Sequence, residues 1–157
     1  MENTATLSDI EKAKILLNKL RIIKGQVAHI ATCDQNGQPN LAPVGSMRIT
    51  NDGKVHVIYG YLKKTYSNLK TNPKATFSFF QIPSFIGFFR EKEEEILGYR
   101  IYCDFVEAIN NEAGLEGETS QILKKFPWFL RKPFSKFAKK NFKKVLVFEI
   151  KNIRATK

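Results

Sequence analysis

Two short segments of the sequence carry residue types that could hold a phosphate group. The first is Gly45-Ser46-Met47-Arg48, and the second is the run from Leu62 to Asn68, which contains Lys63, Lys64 and Thr65. The second run is predicted to open a short helix over residues 64–71, because Asn72-Pro73 stops it. The first N–H groups of a helix lack intrahelical partners and the helix dipole favours negative charge, so this run is typical of an anion site.

The other reactive residue types do not form a recognisable catalytic pattern. His29 and His56 stand in predicted strands without neighbouring carboxylates or cysteines in the sequence, which is typical of structural histidines. Cys33 and Cys103 have neither the spacing of a metal site nor that of a redox pair. The sequence also shows no Ser-His-Asp order, paired carboxylates, P-loop or HExxH motif. It therefore predicts no metal site, and the catalytic residues stay unassigned.

The composition is that of an ordinary globular protein. A chain of 157 residues with 43% hydrophobic residues favours one domain that spans residues 1–157. No apolar run is long enough for a transmembrane helix, and the N-terminus has no secretory pattern. Cysteines without a disulfide pattern are typical of a reducing compartment. We therefore expect the cytoplasm as the location.

The chain is strongly basic, with a formal net charge of +11. Such a charge favours an anionic partner. The basic residues concentrate in the Lys-rich residues 124–144, where Trp128 and several phenylalanines are interleaved with lysines. This segment could be a membrane-surface or nucleic-acid patch. It could instead pack its aromatic rings on the domain with its lysines in water, which we favour, or its lysines could attract an anionic cofactor or substrate.

Hydrophobic alternation and turn residues predict a mainly β fold. We expect an N-terminal helix within residues 1–24, a barrel core over 26–110, a helical basic segment over 111–143 and a closing strand over 144–153. Asn36-Gly37 and Asp52-Gly53 are typical of tight hairpin turns, which need positive φ. Tight turns and few short helices favour a six-stranded antiparallel barrel with peripheral helices. The predicted strands cover residues 26–32, 41–50, 54–59, 74–80, 96–109 and 144–153.

The order of these signals is similar to that of a known family. The run VAHIATCDQNGQPNLAPVGSMRITNDGKVHVIYGYLKKTYSNLKTNPKATFSFF resembles the FMN-binding split-barrel family related to pyridoxamine 5′-phosphate oxidase. The match continues more weakly through GYRIYCDFVEAIN and the closing KKVLVFEIKNIRAT. It covers residues 26–110 and extends to the final strand. The resemblance implies a six-stranded split barrel and a homodimer, with two FMN molecules in grooves between the subunits.

The resemblance also implies which residues contact the flavin ring. Gly45, Ser46 and Met47 would line the isoalloxazine through their backbone groups. The residues Tyr59-Gly60-Tyr61 would form the opposite wall of the cofactor groove. A flavin ring needs a flat apolar wall and amides at its polar edge, and a strand that contains glycine can present such amides closely.

The phosphate of the cofactor is assigned by the same resemblance. Lys64 and Thr65 match the basic-hydroxyl pair with which the family holds the phosphate, and Lys63 and Asn68 are their neighbours. Arg48 would stand where many members place a further cation. Convergent N–H donors with nearby cations are what a phosphate group requires, so the residue types agree with this assignment.

Three functions follow as expectations. The first is an FMN-dependent oxidoreductase that acts on a small-molecule substrate or electron donor. The second is a split barrel that binds a deazaflavin or haem. The third is a basic binding module for nucleic acid or an anionic membrane. The chain is short and lacks a C-terminal Arg-Leu segment that ends in proline, so oxidation of pyridoxamine phosphate itself is not expected.

Overall fold

The protein folds into a curved antiparallel sheet with helices packed outside it. The computed structural model describes residues 7–23, 27–81, 98–110, 132 and 144–156. All the paired strands run antiparallel. The mainly β class with peripheral helices is thus confirmed. The elements are α1 (Leu7–Ile23), β1 (Ala28–Cys33), β2 (Pro39–Val44), β3 (Arg48–Ile49), β4 (Lys54–Ile58), α2 (Lys63–Thr71), β5 (Lys74–Phe80), β6 (Gly98–Asn110) and β7 (Lys144–Thr156).

The described part of the sheet has seven strands in the order β2-β1-β5-β6-β7-β4-β3. The prediction of six strands is wrong because the predicted strand over residues 41–50 is two strands, β2 and β3. Strand β2 pairs with β1, whereas β3 pairs with β4, so the two halves lie at opposite edges of the sheet. The segment Gly45-Ser46-Met47, here named the crossing segment, carries the chain between these edges. Because only three residues join the two edge strands, the sheet must curve until its edges approach each other, as in a barrel.

The interior is filled by the alternating residues of the central strands. Ala75, Phe77 and Phe79 of β5 are buried, which confirms the alternation expected for that strand. The ring of Phe77 meets the ring of Phe148 from β7 edge to face, with their centroids 5.0 Å apart. Such aromatic pairs stabilise a core beyond the area that they bury. The long strands β6 and β7 follow the curved barrel through two register shifts, which are typical of β-bulges.

The two predicted hairpin turns are present. Gly37 and Gly53 adopt φ angles of 79° and 75°, which residues with a Cβ rarely adopt. Helix α1 packs beside the second turn, where the Lys14 ammonium donates a hydrogen bond of 2.7 Å to the Asn51 side chain. The predicted N-terminal helix thus exists over the described residues 7–23. The predicted basic helical segment lies outside the described residues, apart from the exposed Lys132.

The start of β6 has room for glycine alone. A Cβ added at Gly98 would lie 2.4 Å from the carbonyl oxygen of Phe79 and 2.7 Å from the Cβ of Phe80. We expect Gly98→Ala to lower the free energy of unfolding by about 1–3 kcal/mol, measured by urea denaturation. Gly45→Ala is the matched control, because its Cβ would meet nothing closer than Val27 at 3.5 Å. Equal losses in the two variants would contradict this explanation.

Candidate functional site

Helix α2 begins without a side-chain cap. Leu62 occupies the N-cap position, and the first turn contains no acidic residue. The first intrahelical bond runs from the N–H of Tyr66 to the carbonyl of Leu62, at 2.8 Å. The N–H groups of Lys63, Lys64 and Thr65 precede this bond and have no acceptor within the helix. This end of α2 therefore carries partial positive charge that suits an anion.

The side chains at this helix end add full charges. Lys63 and Lys64 are exposed, and the ammonium of Lys64 donates to Oδ2 of Asp34 at 3.4 Å. Oδ1 of Asp34 accepts the N–H groups of Asn36 and Gln38, both at 3.0 Å. These hydrogen bonds, that from Gln38 first, together with Lys64 lower the pKa of Asp34 below its ordinary value. The carboxylate thus competes with any bound anion for Lys64.

A buried polar network joins α2 to the hairpin of β1 and β2. Thr32, Thr65 and Asn68 are the polar residues buried in the described part of the chain. The side-chain amide of Asn40 donates to the Thr65 hydroxyl oxygen at 3.1 Å. The amide of Asn68 donates to the Thr32 hydroxyl oxygen at 3.2 Å. The side chains of Thr65 and Asn68 therefore face the interior, and their hydrogen bonds fix the position of the start of α2 relative to β1 and β2.

Sequence reasoning missed Thr32 and Asn40, although the strand pattern holds a signal for both. Thr32 follows the buried Ile30 at the strand period of two, and Asn40 stands in the same relation to the half-buried Ala42. A polar side chain that faces a core needs a hydrogen-bonding partner, because its desolvation is otherwise costly. Polar residues in the inward phase of neighbouring strands therefore indicate a shared network.

The crossing segment lies beside the residues that lead into α2. The hydroxyl oxygen of Ser46 accepts the N–H of Ile58, the last residue of β4, at 3.0 Å. Met47 is 1% exposed, so its side chain belongs to the core and its backbone is what the segment can offer a ligand. Gly45, at the start of the segment, is exposed. The structure thus places the expected ring-contact segment next to the end of β4.

The chain then turns directly from β4 into α2. The N–H of Tyr59 donates to the carbonyl of Lys144, and the N–H of Leu62 donates to the carbonyl of Tyr59, both at 2.9 Å. Gly60 within this turn has a φ of 41°, in the left-handed region. Tyr61 is 74% exposed. The crossing segment, this turn and the start of α2 are therefore contiguous.

Arg48 occupies a different position from the lysines. It lies on β3 directly opposite His56 of β4, so their side chains share a face of the sheet. Burial is the main cause that lowers the pKa of His56, and the charges of Lys54 and Arg48 add to it against the opposing effect of Asp52. The structure therefore pairs Arg48 with a histidine that favours its neutral form.

The described residues hold neither a cluster of metal ligands nor a helix that could cross a membrane. Among them, no group of three or more His, Cys, Asp or Glu side chains is arranged to hold a metal ion. Within the same part of the chain, neither helix combines the length and the apolar character that crossing a membrane requires.

Comparison with known proteins gives one family match. A family model described as pyridoxamine 5′-phosphate oxidase matches residues 19–157. No curated protein matches the chain significantly.

Solved structures resemble the whole domain. An FMN-binding protein from Syntrophomonas wolfei subsp. wolfei is 21% identical, with 96% of this chain and 87% of that chain covered and a TM-score of 0.63. HupZ from Group A Streptococcus is 23% identical, with coverages of 92% and 91% and a TM-score of 0.58. A proposed flavin reductase with a split-barrel domain from Shewanella frigidimarina is 13% identical, with coverages of 98% and 76% and a TM-score of 0.51. These likenesses establish the split-barrel fold.

The buried polar network generates a prediction about stability. Thr32→Val keeps the shape of the side chain but leaves the amide of Asn68 without its acceptor. We expect this variant to lose about 1–3 kcal/mol of unfolding free energy, measured by chemical denaturation. Thr76→Val, on the outer face of β5, is the matched control and should change stability by less than about 0.5 kcal/mol. A Thr32→Val variant as stable as the control would show that the network contributes nothing.

Proposed function

The chain belongs to the pyridoxamine 5′-phosphate oxidase family, and we propose that it is an FMN-binding oxidoreductase that works as a homodimer with the flavin at the subunit interface. The observation that carries this proposal is the uncapped, acid-free start of α2, which bears Lys63 and Lys64 and adjoins the crossing segment. A phosphate and a ring system can be held at one such junction. The substrate or electron donor is a small molecule that reaches the exposed face of the ring.

The phosphate of FMN is held by the start of α2. The N–H groups of Lys63, Lys64 and Thr65 point out of the helix end, and the ammonium groups of the lysines neutralise the charge. The Thr65 hydroxyl is bonded to Asn40, so Thr65 contributes its backbone N–H while its side chain anchors the helix. Asn68 has the same anchoring role through Thr32. Arg48 adds positive charge from β3.

The ring of FMN lies between the crossing segment and the turn before α2. Gly45 has no side chain to hold the ring away, and Met47 turns its side chain into the core. Tyr59, Gly60 and Tyr61 form the second wall, where the exposed Tyr61 offers a flat surface. Bound flavin supplies hydride transfer, so these residues need to orient the ring and leave one face open.

Substitutions of Lys64 and Asp34 should change the affinity for FMN in opposite directions. Lys64→Ala removes a charge-assisted bond, and we expect FMN affinity to fall at least about tenfold, which corresponds to about 1.4 kcal/mol. Asp34→Asn keeps the acceptor of its turn but frees Lys64, so FMN affinity should rise. Quenching of flavin fluorescence measures both affinities. Lys70→Ala, in the last turn of α2, removes the same charge far from the helix start and is the matched control.

The comparison of Lys64→Ala with Lys70→Ala can contradict the assignment of the phosphate site. If Lys64→Ala and Lys70→Ala bind FMN equally well, the helix start does not hold the phosphate. A general effect of net charge would lower the affinity for FMN in Lys64→Ala and Lys70→Ala alike, so only a difference between these two variants supports a local contact of Lys64 with the phosphate.

The identity of the cofactor is tested on the protein as purified. We expect the visible absorption of oxidised flavin, FMN as the mass of the released ligand, and a dimer by analytical ultracentrifugation. If the released ligand is a deazaflavin or haem, FMN is not the cofactor, and the same fold binds that alternative ligand instead. A colourless protein that binds DNA or anionic vesicles, with affinity that falls steeply with salt, would overturn the flavin proposal in favour of a basic binding module.

A further inference from the structure

A row of polar side chains crosses the outer face of the sheet. His29 pairs with Ser78, Ser78 pairs with Arg100, and Arg100 pairs with Arg154, across strands β1, β5, β6 and β7. Residues paired directly across antiparallel strands point to the same face, with Cβ atoms about 4.5–5.5 Å apart. We name His29, Ser78, Arg100 and Arg154 the outer row.

The outer row lies on the opposite side of the sheet from the buried core. The residues that follow its members along the strands, Ile30, Phe79 and Ile101, are all buried, whereas Arg100 and Arg154 are exposed. Side chains alternate between faces along a strand, so the row faces away from these core residues. The polar network under α2 starts from the inward-facing Thr32. The outer row is therefore separate from the start of α2 within one chain.

Arg100 and Arg154 place two like charges at directly paired positions of β6 and β7. Within the described part of the chain, neither guanidinium forms an ion pair with a carboxylate. The nearby acidic residues of β6 and β7 are engaged elsewhere, because Asp104 accepts from Lys74 at 2.8 Å and Glu149 accepts from Lys151 at 2.6 Å. Like charges placed directly opposite each other destabilise a sheet. A bound anion would relieve this repulsion.

The side chains around the pair restrict the guanidinium of Arg154. Its central carbon lies 5.5 Å from the centroid of the Tyr102 ring, a cation–π contact that holds it over the sheet. Arg100 lies between Arg154 and the hydroxyl of Ser78 in the row. Two planar guanidinium forks and a hydroxyl donor match the several acceptor oxygens of a phosphate group better than one carboxylate.

We propose that the outer row is a second anion site, which binds the phosphate group of a small phosphomonoester. The guanidinium groups of Arg100 and Arg154 hold the phosphate oxygens, and Ser78 donates a further hydrogen bond. The exposed aromatic ring of Phe80 stands two residues after Ser78 along β5, on the same face, and can contact the organic part of the ligand. Nucleic acid is a poorer fit, because it requires cations along several successive phosphates.

The test uses phenyl phosphate as the probe in isothermal titration. A Lys63→Gln/Lys64→Gln background removes the cations at the start of α2, so the result does not depend on the flavin proposal. In that background, Arg100→Gln/Arg154→Gln should weaken phenyl phosphate at least about tenfold. Lys12→Gln/Lys19→Gln, which removes the same charge from exposed positions of α1, is the matched control and should change the affinity by less than about threefold.

The melting temperature is a second measurement, and it shows whether each variant still folds. Phenyl phosphate should raise the melting temperature of the parent chain, because it binds the folded state. Without ligand, Arg154→Gln should melt at or above the parent temperature at low salt, since the repulsion is gone. Equal affinity of the arginine and control variants for phenyl phosphate overturns the proposal. Equal loss of FMN and phenyl phosphate on Arg100→Gln/Arg154→Gln would overturn the separation of the two sites.

Discussion

Closure of the sheet by the crossing segment is the constraint on which the rest of the structure depends. Strands β2 and β3 follow each other in the chain but lie at opposite edges of the described sheet, so three residues must join the edges. The hydroxyl oxygen of Ser46 accepts the N–H of Ile58 there, and Met47 enters the core. Because β4 leads through one turn into α2, closure also sets where that helix begins. The fold thus brings the crossing segment, with its exposed Gly45, close to the start of α2.

The position of α2 is then specified by polar contacts on one helix face. Burying polar groups is costly unless they are paired, so an α2 rotated about its axis would lose these contacts together. The contacts run from an exposed pair at the start of the helix, through two pairs in the interior, to the C-cap residue. They join α2 to the hairpin of β1 and β2 through the pairs Lys64–Asp34, Thr65–Asn40, Asn68–Thr32 and Asn72–Cys33.

Positive charge is distributed over the fold in two places with different causes. At the start of α2, unpaired backbone N–H groups and lysines act together, and Asp34 moderates the field of Lys64. In the outer row, strand pairing forces Arg100 and Arg154 side by side, and the nearby carboxylates already bond lysines. Part of the positive net charge of the chain is therefore concentrated at these two places and is not spread evenly over the surface.

The sequence by itself determined the features that depend on neighbouring residues. Asn36-Gly37 and Asp52-Gly53 predicted the turns, Asn72-Pro73 predicted the end of α2, and strict alternation predicted the inward face of β5. The ordered succession of these signals also carried the family resemblance, which the match over residues 19–157 confirms.

Tertiary structure alone decided the features that depend on long-range pairing. The break of the strand over residues 41–50 follows from a change of partner, from β1 to β4, that the alternation of side chains does not record. The inward orientation of Thr65 requires Asn40, which is 25 residues away in the sequence. Arg100 and Arg154 meet through strand register alone. Local patterns report turn chemistry and side-chain period, whereas register and closure are set by the packing of distant strands.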